Sequence, residues 1–125
     1  MGEGMKRLFM ARLAIVIAFA LSVGLNVMAH HGWADFDRSK KVEISGIIVE
    51  SKYENPHSFV RLKVEQGEWA VELSAVPRMK RIRITAEMIK PGTRVTLIGH
   101  PHKKKAHEMK ATHIILDGKT YDLTG

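Results

Sequence analysis

The chain has 125 residues, a formal charge of +7, seven histidines and no cysteine. The length is that of a single domain. The missing thiols exclude disulfides, thiolate metal sites and a cysteine nucleophile.

Lys6, Arg7 and Arg12 precede residues 13–25 (LAIVIAFALSVGL), which carry no charge. Thirteen residues make a helix of roughly 20 Å, too short for a hydrocarbon core of about 30 Å. Val27 and Ala29 then fit the small-residue positions before a cleavage point. Residues 1–29 therefore read as a secretory signal peptide, with His30 as the new first residue. Removing Lys6, Arg7 and Arg12 together with Glu3 leaves about +5 on the mature part. The expected location is the periplasm or the exterior of a bacterial cell, with no membrane span after cleavage.

Residues 30–40 (HHGWADFDRSK) form a polar arm, expected to pack Trp33 and Phe36 on the domain of residues 41–125. Residues 42–53 are β-branched and partly alternating, a long first strand in which Gly46 predicts a bulge or bend. Asn55-Pro56-His57 is a turn. Residues 58–64 alternate, with Phe59, Arg61 and Lys63 on one face and Val60, Leu62 and Val64 on the other. Gln66-Gly67 predicts a hairpin turn into a third strand over residues 68–73.

Residues 77–89 are the one helical region. Pro77 suits a first helical position, and Thr85 predicts a second N-cap with Glu87 in the turn after it. Pro91-Gly92 ends the segment. Residues 94–100 form a fourth strand, 101–105 a charged loop, and 108–116 a fifth strand. Asp117-Gly118 turns into a short closing strand over residues 119–123. Three strands, a helical connection and two strands predict an all-β fold with a small α insertion. The architecture is a five-stranded OB-fold-like barrel with its helical connection between strands 3 and 4, preceded by the signal peptide.

The motifs in this order resemble a family of uncharacterised exported bacterial proteins with OB-like domains. They are His30-His31-Gly32, residues 46–48 (GII), Asn55-Pro56-His57, residues 69–72 (WAVE), Lys90-Pro91-Gly92 with Val95, residues 99–101 (GHP), and Asp117-Gly118. The match spans the whole mature chain and implies fold and export. Such proteins often carry an Arg-Arg-Gly break in the helical region. Here Lys80-Arg81-Ile82-Arg83 stands there instead, so the helix is expected to run on or to break differently.

Three histidine groups are candidate metal ligands. Freed by cleavage, His30 offers its α-amine and its imidazole together, and His31 adds a second ring, a nitrogen set suited to Cu(II). His100 and His102 are two apart on a strand, and the loop after them is expected to bring His107 across the hairpin as a Zn or Cu group. Met79 and Met109 are possible thioether partners there, although residues of this kind belong more often to a core. Lys103, Lys104 and Lys105 in the same loop would repel a cation. His57 is a lone ring in its turn, and His113 a weaker candidate still.

Arg78, Lys80, Arg81 and Arg83, joined by Lys103, Lys104 and Lys105, form a candidate surface for an anionic envelope component. Phe59 beside Arg61 and Lys63 suggests a strand face for single-stranded nucleic acid, which an exported protein rarely meets. No sequence signature of a serine, cysteine or metal hydrolase is present. The expectation is a non-enzymatic binding module that takes Cu(II) through His30 and His31; the alternative is a structural or stress-related envelope protein that binds an anionic partner through its basic face.

Overall fold

Strand alternation decides which side chains line the interior. The computed structural model describes residues 32–125. The predicted leader, His30 and His31 lie outside the described residues. Residues 35–125 form one unit, with strands β1 (Val42–Lys52), β2 (Phe59–Val64) and β3 (Gly67–Glu72). A short helix α1 (Val76–Arg81) and a 3₁₀ turn (Glu87–Ile89) connect β3 to β4 (Arg94–Pro101), followed by β5 (Glu108–Leu116) and β6 (Lys119–Asp122).

The sheet runs β3-β2-β1-β4-β5-β6, and a parallel β3–β5 pairing closes the first five strands into a barrel. The all-β, OB-like architecture is thus as expected, with the helical segment between the third and fourth strands. β1 serves two neighbours: residues 42–47 pair with β4 and residues 47–52 with β2. On β2 the alternation holds. Val60 and Leu62 are buried while Phe59, Arg61 and Lys63 face out.

The interior is one cluster that includes Ile48, Leu62, Val71, Leu97 and Ile114, all inaccessible to solvent. Each such side chain stabilises the fold by about 1.5–3 kcal/mol through the apolar surface it removes from water. Met79, Ile84 and Ile89 from the connection belong to the same cluster. Met79 and Met109 are core residues, at 0% and 1% exposure.

Two expectations need correction, and one left with two courses is decided. Gly46 is not the bulge: the register shift in β1 lies between Ile48 and Glu50, leaving Val49 unpaired. Gly46 instead marks a close approach of backbones. An added Cβ would lie 2.0 Å from the Lys63 carbonyl oxygen. Of the two courses expected for the helix, it takes the break. Arg83 adopts a left-handed φ of 65°, which ends α1 and lets Ile84 enter the core, where its carbonyl accepts a bond from the Tyr53 hydroxyl at 2.8 Å. Second, Thr85 is not the N-cap: Ala86 holds that place before a single 3₁₀ turn, and the Thr85 hydroxyl accepts the Met88 amide at 3.4 Å.

The arm's second aromatic packs as expected. Phe36 is 8% exposed and bridges to His102, flanked by bonds from the Asp37 amide to the Pro101 carbonyl and from the Lys103 amide to the Asp35 carbonyl, both 2.8 Å.

Candidate functional site

The histidines of the last hairpin do not converge. His100 Nδ1 lies 2.6 Å from the Lys40 carbonyl oxygen. His102 Nδ1 accepts the amides of Lys104 and Lys105, each at 3.0 Å, so its lone pair builds the loop. Its ring meets Phe36 edge-on at 5.4 Å between centroids. His107, in a left-handed conformation, stacks on Trp69 at 5.1 Å. Among the described residues no group of three or more His, Asp or Glu side chains is arranged to hold a metal. The expected His100–His102–His107 grouping is corrected on that ground: each ring is turned to a different neighbour.

His57 is not a lone ring in its turn. Its Nδ1 is 3.3 Å from Glu72 Oε1, and Lys110 Nζ lies 3.4 Å from the same oxygen. The parallel pairing places Glu72 opposite Lys110. Both side chains are largely buried, at 14% and 10% exposure. One carboxylate thus joins the Asn-Pro-His turn, β3 and β5. His113 accepts or donates at the Thr112 hydroxyl, 2.9 Å away.

The cationic residues divide by role. Arg78 is half-buried and donates from Nη2 to the Asp122 carbonyl at 3.1 Å, which ties α1 to β6. It is a structural strut more than a surface charge. Lys80, Arg81 and Arg83 are exposed at and just beyond the end of α1, and Lys103, Lys104 and Lys105 are exposed in the loop before β5. Among the described residues none of these six forms an ion pair. The helix follows the far end of β3, whereas the loop precedes Glu108, the partner of Ala70. Two exposed basic clusters result.

Two carboxylates are held below their ordinary range. Asp37 accepts the Ser39 hydroxyl and amide, and Asp122 the hydroxyl and amide of Thr124. Hydrogen bonds to the charged form favour it.

The outer face of β1–β3 carries an open trough, of which the sequence showed only the Phe59 and Arg61 side. Ala70 offers no bulk between its neighbours, and Phe59 stands 41% exposed beside it. Arg61 crosses the trough, with Nη2 2.7 Å from Glu50 Oε2 and Nε 4.0 Å from Glu68 Oε2. The Phe59 side encloses about 280 Å³. A second depression of about 260 Å³ shares Arg61 and Ala70 and ends at Trp69 and His107.

The barrel is similar to part of a crystal structure of the ZRD-deleted mutant of TiaS in complex with agmatine. The TM-score is 0.51 at 15% identity, over 70% of this chain and 27% of that one. A crystal structure of TiaS with a transfer RNA and ATP aligns at a TM-score of 0.47 and 16% identity, over 65% of this chain and 19% of that one. At such identity the likeness concerns the fold alone, and the chain spans well under a third of either protein. No curated protein matches the chain. Residues 18–110 match the model of a family of unknown function (DUF6152), and the chain belongs to that family.

Proposed function

We propose that the protein is an exported, non-enzymatic binding module that engages an anionic component of the bacterial envelope. The observation that carries this reading is the set of six exposed cations, Lys80, Arg81, Arg83 and Lys103 to Lys105, none of which forms a close ion pair among the described residues. Unpaired cations attract polyanions from a distance and lose that attraction as salt shortens the screening length to about 8 Å at physiological strength. The mature protein is expected to bind vesicles containing anionic lipid, with affinity falling steeply as salt rises. The K80E/R81E/R83E variant should bind at least about tenfold more weakly, a change of about 1.4 kcal/mol. Equal binding by the charge-reversed protein would contradict the reading.

A second reading, Cu(II) held at the mature N-terminus, rests on the His30-His31 pair. It gains from the commitments of the other rings, since His57, His100, His102 and His107 each serve a neighbour of their own. An amine and an imidazole on one residue chelate Cu(II) only after cleavage, and both protonate in acid. A one-to-one Cu(II) complex is expected for mature protein whose first residue is His30 by intact mass. It should vanish on blocking the α-amine. Binding that survives the block would place the metal elsewhere.

A further inference from the structure

The charge of this protein is concentrated in one segment. Residues 78–94, from within α1 to the first residue of β4, hold six cations and one carboxylate, a net +5. The other described residues, 32–77 and 95–125, hold eleven cations and eleven carboxylates and net zero. The end of β1 and the last hairpin adjoin this segment. They bring Lys52 and Lys119 against Glu54, Asp117 and Asp122, which lowers the total at that end of the barrel by one charge.

The segment has an apolar inner side and a cationic outer side. Met79, Ile84 and Ile89 turn into the core at 0% exposure, while Lys80, Arg81, Arg83, Lys90 and Arg94 are exposed. Lys90 pairs with Glu87 at 2.6 Å, and the other four form no ion pair among the described residues. A helix C-terminus attracts basic side chains in its last turn. That accounts for Lys80 and Arg81, but Arg83 and Arg94 lie beyond the helix.

The Lys103–Lys105 loop stands at the other end. β4 separates it from Arg94, running from Arg94 to Pro101, about 20 Å at strand spacing. That is more than twice the screening length of about 8 Å at physiological strength. Around the loop the signs mix, because residues 35–43, 63–68 and 103–108 hold seven cations and six carboxylates. A flat partner seated on the segment between α1 and β4 does not reach the loop.

Shape separates a plane from a strand. Chain-like polyanions are held in cationic grooves. Neither the trough nor the depression of about 580 Å³ beside Tyr121 has more cations than carboxylates in its lining. The surplus cations stand on the outward surface instead, where a plane of anionic headgroups meets them together. We propose that the protein docks end-on, through Lys80, Arg81, Arg83 and Arg94, onto an anionic lipid bilayer. End-on docking rests on the anionic reading above and narrows it to one end of the barrel and one partner.

The test is binding of the protein isolated from expressing cells to phosphatidylglycerol vesicles and, separately, to inorganic polyphosphate. K80Q/R81Q/R83Q should weaken vesicle binding at least about tenfold, since each cation near an anionic plane contributes several-fold. K103Q/K104Q/K105Q, which also changes exposed side chains only, should leave it nearly unchanged. A gadolinium-chelating lipid should broaden the amides of residues 80–94 before those of residues 103–107. Equal losses from the two triple variants would overturn end-on docking, as would broadening led by the loop, or polyphosphate bound while vesicles are ignored. Each of these results leaves the anionic reading standing. No binding to either probe would overturn both.

Discussion

Gly46→Ala is expected to remove a large part of the protein's stability. The added methyl would lie 2.0 Å from the Lys63 carbonyl oxygen and 2.9 Å from its carbon. Those atoms belong to the β2 backbone, so no side chain can rotate away. β2 must retreat from β1 where β1 passes from one partner to the other, between Ile47↔Arg94 and Ile47↔Lys63. Overpacking commonly costs about 1–3 kcal/mol, and a backbone clash belongs at or above the top of that range. Total stability for such a domain is about 5–15 kcal/mol. Ser45→Ala next door is the control. It loses an exposed hydroxyl bond to Thr96, which is worth about 1 kcal/mol or less. Urea unfolding of both variants checks the claim, and a Gly46→Ala protein as stable as Ser45→Ala would refute it. Gly99 makes an equally close approach, 2.0 Å from its added Cβ to the Lys110 carbonyl oxygen, at the register shift between β4 and β5.

Removing the Glu72 charge should be the next most damaging change. Its carboxylate lies 3.4 Å from Lys110 Nζ, with both side chains largely withdrawn from water. In Glu72→Gln the ammonium keeps its burial and loses this carboxylate, a loss of up to about 3–5 kcal/mol for buried pairs. The same change weakens the bond to His57 and so the hold on the Asn-Pro-His turn. Lys110→Met in the Glu72→Gln background should restore much of the loss, because a thioether chain fills the space without a charge to desolvate. A double-mutant cycle by chemical denaturation therefore predicts a strongly non-additive pair. Additive single effects, or a neutral Glu72→Gln, would show that the carboxylate does not stabilise Lys110.

The same two residues show where sequence pattern stops. Period-two alternation on residues 58–64 places Val60 and Leu62 inside and Phe59 and Arg61 outside, because inside and outside on a strand are local properties. Strand order and the helical connection then lead to the barrel. The Glu72–Lys110 pair is not local. It exists because β3 and β5 meet in parallel across the helical segment and β4, and no spacing announces it. Gly46 is a true signal of unusual backbone read with the wrong cause. Glycine serves both bulges and close approaches, and here Val49 carries the bulge.

The hairpin histidines illustrate the converse limit. Residues two apart share a strand face only while the strand continues. Here it ends at Pro101, and the His102 ring nitrogen is taken up by the amides of its own loop. The trough is half visible in the sequence, in Phe59 and Arg61 on one face. Its other half comes from strand neighbours: Glu50 opposite Arg61 on β1, and Ala70 opposite it on β3.

Fractionation of cells that express the whole chain tests whether charge holds the exported protein to an anionic envelope surface. A mature protein beginning at His30 is expected in the envelope fraction at low salt. It should be released intact by about 1 M salt, where the screening length is about 3 Å. A chain that keeps residues 1–29 in the cytoplasm, or one that stays bound to the envelope regardless of salt, would contradict it.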